Sequence, residues 1–188
     1  RAMPLFKQGK YELGMSYLDR AVALQPDRWQ DYRAFIKCIF AKTYRAAIED
    51  FQDCKVKFGN NYVMDHSYDF YIALCYLQLN EFQQAEQMLK SEIEQQGENV
   101  HYLDLFYYGI SKYEQGRYEE AVETFDEVLG LYPQFSDVQY YKAICLSKID
   151  RRDEVKTLLQ EAKRNADEGY TINEDNAIYE RYPYQVRW

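Results

Sequence analysis

The sequence predicts an all-α chain of antiparallel helix pairs stacked one on the next, and three observations predict it. A small-residue and aromatic signature recurs, its small members Gly14, Ala47, Ala85, Ala121 and Val155 lying 33, 38, 36 and 34 residues apart. A period of that size marks a solenoid, in which each unit is one supersecondary element that cannot bury its apolar face alone. Each period also holds two stretches with apolar residues at i, i+3, i+4 and i+7, the spacing of one helix face. Finally, the 188 residues include only 8 Gly and 4 Pro, a composition that suits helix throughout.

The elements follow in order. The first copy reads Gly9-x-Tyr11-x2-Gly14-x3-Leu18-x2-Ala21-x4-Pro26. So few residues precede Gly9 that most of a leading helix is missing from it. Residues 1–26 are therefore read as a partial unit of a chain expected to continue upstream, where a signal or anchor would lie. The second unit, about 27–60, carries Tyr44, Ala47, Phe51, Cys54 and Gly59 at the same spacings, with a hairpin turn that reads one residue short. Residues around Asn60–Met64 look inserted, and are expected to rotate that hairpin or lengthen its second helix. In the third unit, 66–98, Phe70, Ile72, Ala73, Tyr76 and Leu77 mark the first helix. Leu79-Asn80-Glu81 turns the chain, and Phe82, Ala85, Met88, Leu89 and Ile93 mark the second.

The fourth unit, 101–134, repeats this with Leu105, Tyr108 and Gly109, a turn at Gly116, then Tyr118-x2-Ala121-x3-Phe125-x2-Val128-x4-Pro133. Gly109 and Ala73 share one slot, as do Ala121 and Ala85, where small residues let the two helices of a hairpin approach while the large ring four residues on fills the gap beside them. Pro26 and Pro133 stop the second helices, since proline lacks the N–H that an interior helix position needs. The last unit, 135–165, keeps only Val155, Leu159 and Ala162, with Arg152 where an aromatic stood before. Residues 166–188 break the period. Thr171 to Asn176 offer side-chain oxygens as an N-cap for a short helix at Ala177-Ile178-Tyr179, and Tyr182-Pro183-Tyr184 must leave it. With Tyr170, Tyr179, Tyr182, Tyr184 and Trp188 the tail is too aromatic for a disordered segment. It is expected to dock as a cap over the last repeat.

These spacings resemble the tetratricopeptide repeat (TPR) family, whose pattern is W-x2-L-G-x2-Y…A-x3-F…P over 34 residues. The resemblance covers about residues 1–165 and is most specific at Leu105–Pro133. It implies a right-handed superhelix of antiparallel helix pairs, a TPR-like α-solenoid, whose first helices line a concave face. It also implies a partner that is a protein or peptide.

On that face the two positions before the small-residue slot read Phe70-Tyr71, Phe106-Tyr107 and Tyr140-Tyr141 in three units, against Arg33-Ala34 in the second. Leu74, Ile110 and Ile144 lie one turn further along. One ring of each pair is expected in the inter-repeat core and the other in an open groove. Phe70, Tyr71, Leu74, Phe106, Tyr107, Ile110, Tyr140 and Tyr141 are accordingly the candidate partner-binding residues. Burying a third of six such rings removes about 300–500 Å² from water, worth several kcal/mol gross at about 25 cal/mol/Å². Ordering costs are still to be subtracted. The chain's own Tyr-rich tail is a second candidate occupant. Some TPR co-chaperones grip a C-terminal carboxylate with Lys, Arg and Asn on these positions; here they are aromatic or aliphatic, and only Arg33 and Lys37 make a basic spot.

The net charge is −8, and from Glu81 to Glu127 there are 12 acidic residues against 3 basic ones. Such a surface repels phosphate backbones, so nucleic acid is not expected as a partner. No apolar run approaches the roughly 18 residues of a membrane span. Cys38, Cys54, Cys75 and Cys145 are scattered without a Cys-x2-Cys pair; they read as small core residues and favour a reducing, cytoplasmic setting. His66 and His101 are the only histidines and start neighbouring helices. The Asn173-Glu174-Asp175-Asn176 run is half a calcium loop without its glycine or final glutamate. No metal, cofactor or catalytic motif is predicted.

The expectation is therefore a non-catalytic interaction scaffold that binds a partner segment in an aromatic groove. Three alternatives stand beside it. One is a dedicated adaptor, such as a secretion chaperone or toxin-immunity protein that uses the acidic surface. The others are the regulatory part of a longer enzyme and self-association into a homo-oligomer.

Overall fold

The computed structural model describes residues 2–174 and 176–188. Arg1, and the Asp175 of the predicted cap and half calcium loop, lie outside the described residues. The chain divides into two compact units, Arg1–Glu81 with Ile178–Arg181, and Phe82–Ala177 with Tyr182–Trp188.

The first unit holds α1 (Met3–Lys7), α2 (Tyr11–Leu24), α3 (Pro26–Ile39), α4 (Tyr44–Phe58) and α5 (Tyr68–Gln78), each packed on the next. Pro26 opens α3 in its first turn, where the missing N–H would have had no partner. One residue therefore ends α2 and begins its successor. The second unit holds α6 (Phe82–Gln96), a 3-10 turn (Gly97–Asn99), α7 (Tyr102–Glu114), α8 (Tyr118–Leu131), α9 (Ser136–Lys148) and α10 (Arg152–Asp167). Its helices also pack in sequence order.

One left-handed residue recurs at the turns between helices. Gly9, Lys42, Asn80, Gly116 and Asp150 have φ between 55° and 74°, each two residues before the following helix. The N–H after four of these five reaches back five residues, as from Arg117 to Lys112 and from Glu81 to Tyr76, and so satisfies a carbonyl at the helix end. The hairpin of α3 and α4 departs, for Thr43 reaches six residues back to Lys37. The turn predicted to be short is in fact the long one, because α3 stops at Ile39. The Phe40 ring is drawn into the core instead, 5.7 Å from Phe6 and 6.5 Å from Phe35.

The inserted residues do not lengthen α4, which stops at Gly59 with φ 72°. They fold into an antiparallel ribbon of β1 (Tyr62–Val63) and β2 (His66–Ser67), with Met64 at φ 52° in its turn. Ser67 then caps α5, its hydroxyl accepting the Phe70 N–H at 3.1 Å.

The small-residue slot is as tight as its spacing implies. A Cβ on Gly109 would lie 2.5 Å from a Phe125 ring carbon, and one on Gly14 would lie 2.8 Å from Phe6. Beyond Asp167 the described residues form turns, and the predicted helix at Ala177-Ile178-Tyr179 is absent. Ile178 and Tyr179 are 82% and 50% exposed, so a helix there would have no apolar face to bury and nothing to offset its nucleation cost.

Candidate functional site

The predicted site residues separate by unit and by burial. In the first unit Phe70, Tyr71 and Leu74 are buried, so they do not line an open groove. Phe70 stacks on His66 at 3.9 Å. Tyr71 stacks on Phe51 at 5.6 Å and meets Phe35 edge-on at 5.4 Å. These rings are the core between successive helix pairs. In the second unit Phe106, Tyr107 and Ile110 are likewise buried, which again corrects the expectation of an open stripe. Phe106 packs against Phe135 at 5.3 Å and Tyr141 at 6.0 Å. Only Tyr140 and Tyr141 of the eight are partly exposed.

Tyr107 is buried for a different reason. Its hydroxyl donates to the Pro183 carbonyl at 3.0 Å, so the chain's own tail covers it. The Tyr184 ring lies 5.9 Å from Tyr141, which also touches Tyr113 at 5.5 Å. Trp188 meets Tyr140 edge-on at 5.5 Å. The Tyr184 phenol lies beside the Glu114 carboxylate. Burial, with the neighbouring Glu114 charge, pushes that phenol well above its usual range. The tail thus lies against α7 and α9 of the second unit, held by ring contacts and by one main-chain carbonyl.

Asp137, in the first turn of α9, clamps that segment in place. One carboxylate oxygen accepts from the Thr171 hydroxyl at 2.7 Å and the Ile172 N–H at 2.9 Å. The other accepts from the Val186 N–H at 2.6 Å. Asp137 is fully buried, and that burial raises its carboxyl despite the three donors. Gln185 adds a clasp, its side chain accepting the Tyr182 N–H and donating to the Ile172 carbonyl. Sequence reading missed Asp137 because its only signal is a carboxylate just inside a helix start, the ordinary place for one.

The basic spot closes on itself. Arg33 gives two hydrogen bonds to Asp50, at 2.8 and 2.7 Å, and Lys37 gives a third at 2.7 Å. His101 caps α7, its Nδ1 accepting the Leu103 N–H. Among the described residues no group of three His, Cys, Asp or Glu side chains could hold a metal ion, and no helix is long and apolar enough to cross a membrane. The first unit also carries a half-open cavity of about 300 Å³ walled by Tyr17, Leu18, Trp29 and Tyr32.

Antiparallel helix pairs, a glycine or alanine at each close approach and one repeated left-handed turn define an α-solenoid of helical hairpins. Comparison with known proteins agrees. Residues 112–169 match the family model described as tetratricopeptide repeat. A crystal structure of MamA superposes over 89% of this chain and 95% of its own, at 13% identity and a TM-score of 0.70. TPR-like repeats of a putative kinesin light chain from Podosopora anserina superpose over 89% and 92%, at 15% identity and a TM-score of 0.70. YrrB, described as a TPR protein with an unusual peptide-binding site, superposes over 87% and 82%, at 16% identity and a TM-score of 0.63. Among curated proteins nothing matches the chain. Residues 112–169 thus match the tetratricopeptide repeat by sequence, and the fold over most of the chain is similar to that of the solved TPR structures.

Proposed function

We propose that this chain is a non-catalytic protein-interaction module. Its recognition face is formed by α7 and α9 of the second unit, where a partner segment exchanges with the tail. The observation that carries the reading is that a peptide segment already sits there, with Tyr107 holding the Pro183 carbonyl and Tyr141 and Tyr140 holding Tyr184 and Trp188. A pre-organised helical face loses little conformational entropy on binding. The peptide-binding site for which YrrB is described is consistent with this use of the fold.

The test is capture from a cell extract by the intact chain, by Asp137→Asn and by Asp137→Asn combined with Tyr140→Ser and Tyr141→Ser. Under this reading the first substitution frees the face and raises capture of a specific protein, and the added pair abolishes it. Equal capture by all three, with helicity unchanged, contradicts the reading.

A second reading rests on α8, whose Glu119, Glu120, Glu123, Asp126 and Glu127 are all exposed. There a basic client would bind by charge, and its capture would weaken as ionic strength rises. Capture through the aromatic face would barely respond.

A further inference from the structure

The covered face also carries information about the chemistry of its partner. Tyr182 to Gln185 form a β-turn, closed by the Gln185 N–H on the Tyr182 carbonyl at 3.1 Å. Pro183 takes the second position and Tyr184, at φ 60°, the third. This is the arrangement of a type II turn, in which the third position ordinarily belongs to glycine or asparagine. A bulky residue in left-handed geometry is strained, and strain of this kind persists only where the surroundings over-determine it. Here they do so through the ring, which packs on Tyr141. Four residues later Trp188 provides a second aromatic anchor on Tyr140. The backbone contact is generic, because any carbonyl satisfies Tyr107. The selective elements are therefore the proline-set bend and the two rings beyond it.

We infer that the partner segment is a protein sequence of aromatic–proline–aromatic type, with a second aromatic about four residues further on, and that it displaces the tail by reproducing these contacts. This rests on the reading of the α7 and α9 face as the recognition surface. The tail is a built-in competitor, at the high effective concentration a short tether imposes. The strain at Tyr184 keeps it displaceable.

The probe is a labelled synthetic peptide of residues 179–188, Tyr-Glu-Arg-Tyr-Pro-Tyr-Gln-Val-Arg-Trp, followed by fluorescence anisotropy against the full chain. Against a chain carrying Tyr184→Ala and Trp188→Ala, which lose the tethered anchors, the peptide is expected to bind roughly tenfold or more tightly than to the unaltered chain. Asp137→Asn, which loosens the tail from its other side, gives the same direction should the double variant fail to fold. A peptide with alanine at both anchor rings should lose at least most of that binding. Equal binding to altered and unaltered chains, or indifference to the rings, overturns the inference. So does light scattering that shows dimers exchanging tails, since the occupant would then be a second copy. If Asp137→Asn captures a protein through Tyr140 and Tyr141 while the peptide fails to bind, this inference falls and the recognition face stands.

Discussion

Asp137 and Asp50 show how single buried carboxylates organise the two units. Asp137 accepts three hydrogen bonds from two stretches of the tail. In Asp137→Asn one acceptor becomes an amide donor facing a donor, and a buried N–H left unpaired costs about 1–3 kcal/mol. The expected result is faster hydrogen exchange at Ile172 and Val186 with the helices unchanged. Asp50 is nearly buried and joins Arg33 and Lys37. Asp50→Ala leaves Lys37 without its carboxylate partner and Arg33 with only the exposed Asp19, and should destabilise the fold by up to about 3 kcal/mol in denaturant unfolding. Titration adds a sign. Burial pushes Tyr44 and Tyr102 up to about 12, and burial beside Glu114 raises Tyr184. The folded chain therefore holds these protons more tightly than the unfolded chain, whose phenols titrate near 10. Stability is intact below about pH 10 and falls as pH rises from there toward about 12. Thermal melts across that window, read with tyrosine absorbance, check both halves of the statement.

The hairpin is the unit at which sequence and structure agree best, and its helices supply a paired test. Gly109 of α7 has a Phe125 ring against it, whereas Gly130 of α8 has nothing within 4 Å. Gly109→Ala should destabilise, because overpacking of about 1–3 kcal/mol outweighs a helix-propensity gain of at most about 1 kcal/mol. Gly130→Ala, which gains propensity without a clash, should stabilise by roughly 0.5–1 kcal/mol. Denaturant midpoints for the pair read both signs. Gly109 was legible because close helix approach demands a small residue at that slot; Gly130 carried no such signal. The ring pairs were not legible. On α5 eight of eleven residues are buried, and a helix apolar on all sides has no periodicity to say which ring faces out. The ribbon at Tyr62–Ser67 also escaped, since Met64-Asp65 lacks the Asn-Gly or Gly signal that announces a two-residue hairpin.

At the scale of the molecule, the aromatic richness of the last residues signalled docking, but composition cannot separate a structural cap from a displaceable ligand. The proposal of a displaceable ligand rests on geometry: the tail bonds Tyr107 through its main chain and presents Tyr184 from a strained turn. Its amides therefore report the central claim. Hydrogen exchange at Gln185 and Val186, which bond the Tyr182 carbonyl and Asp137, should be compared in the full chain with and without saturating 179–188 peptide. The account predicts protection in the free chain that is lost as the peptide takes the face. Protection that persists at both amides while the peptide is demonstrably bound would contradict it.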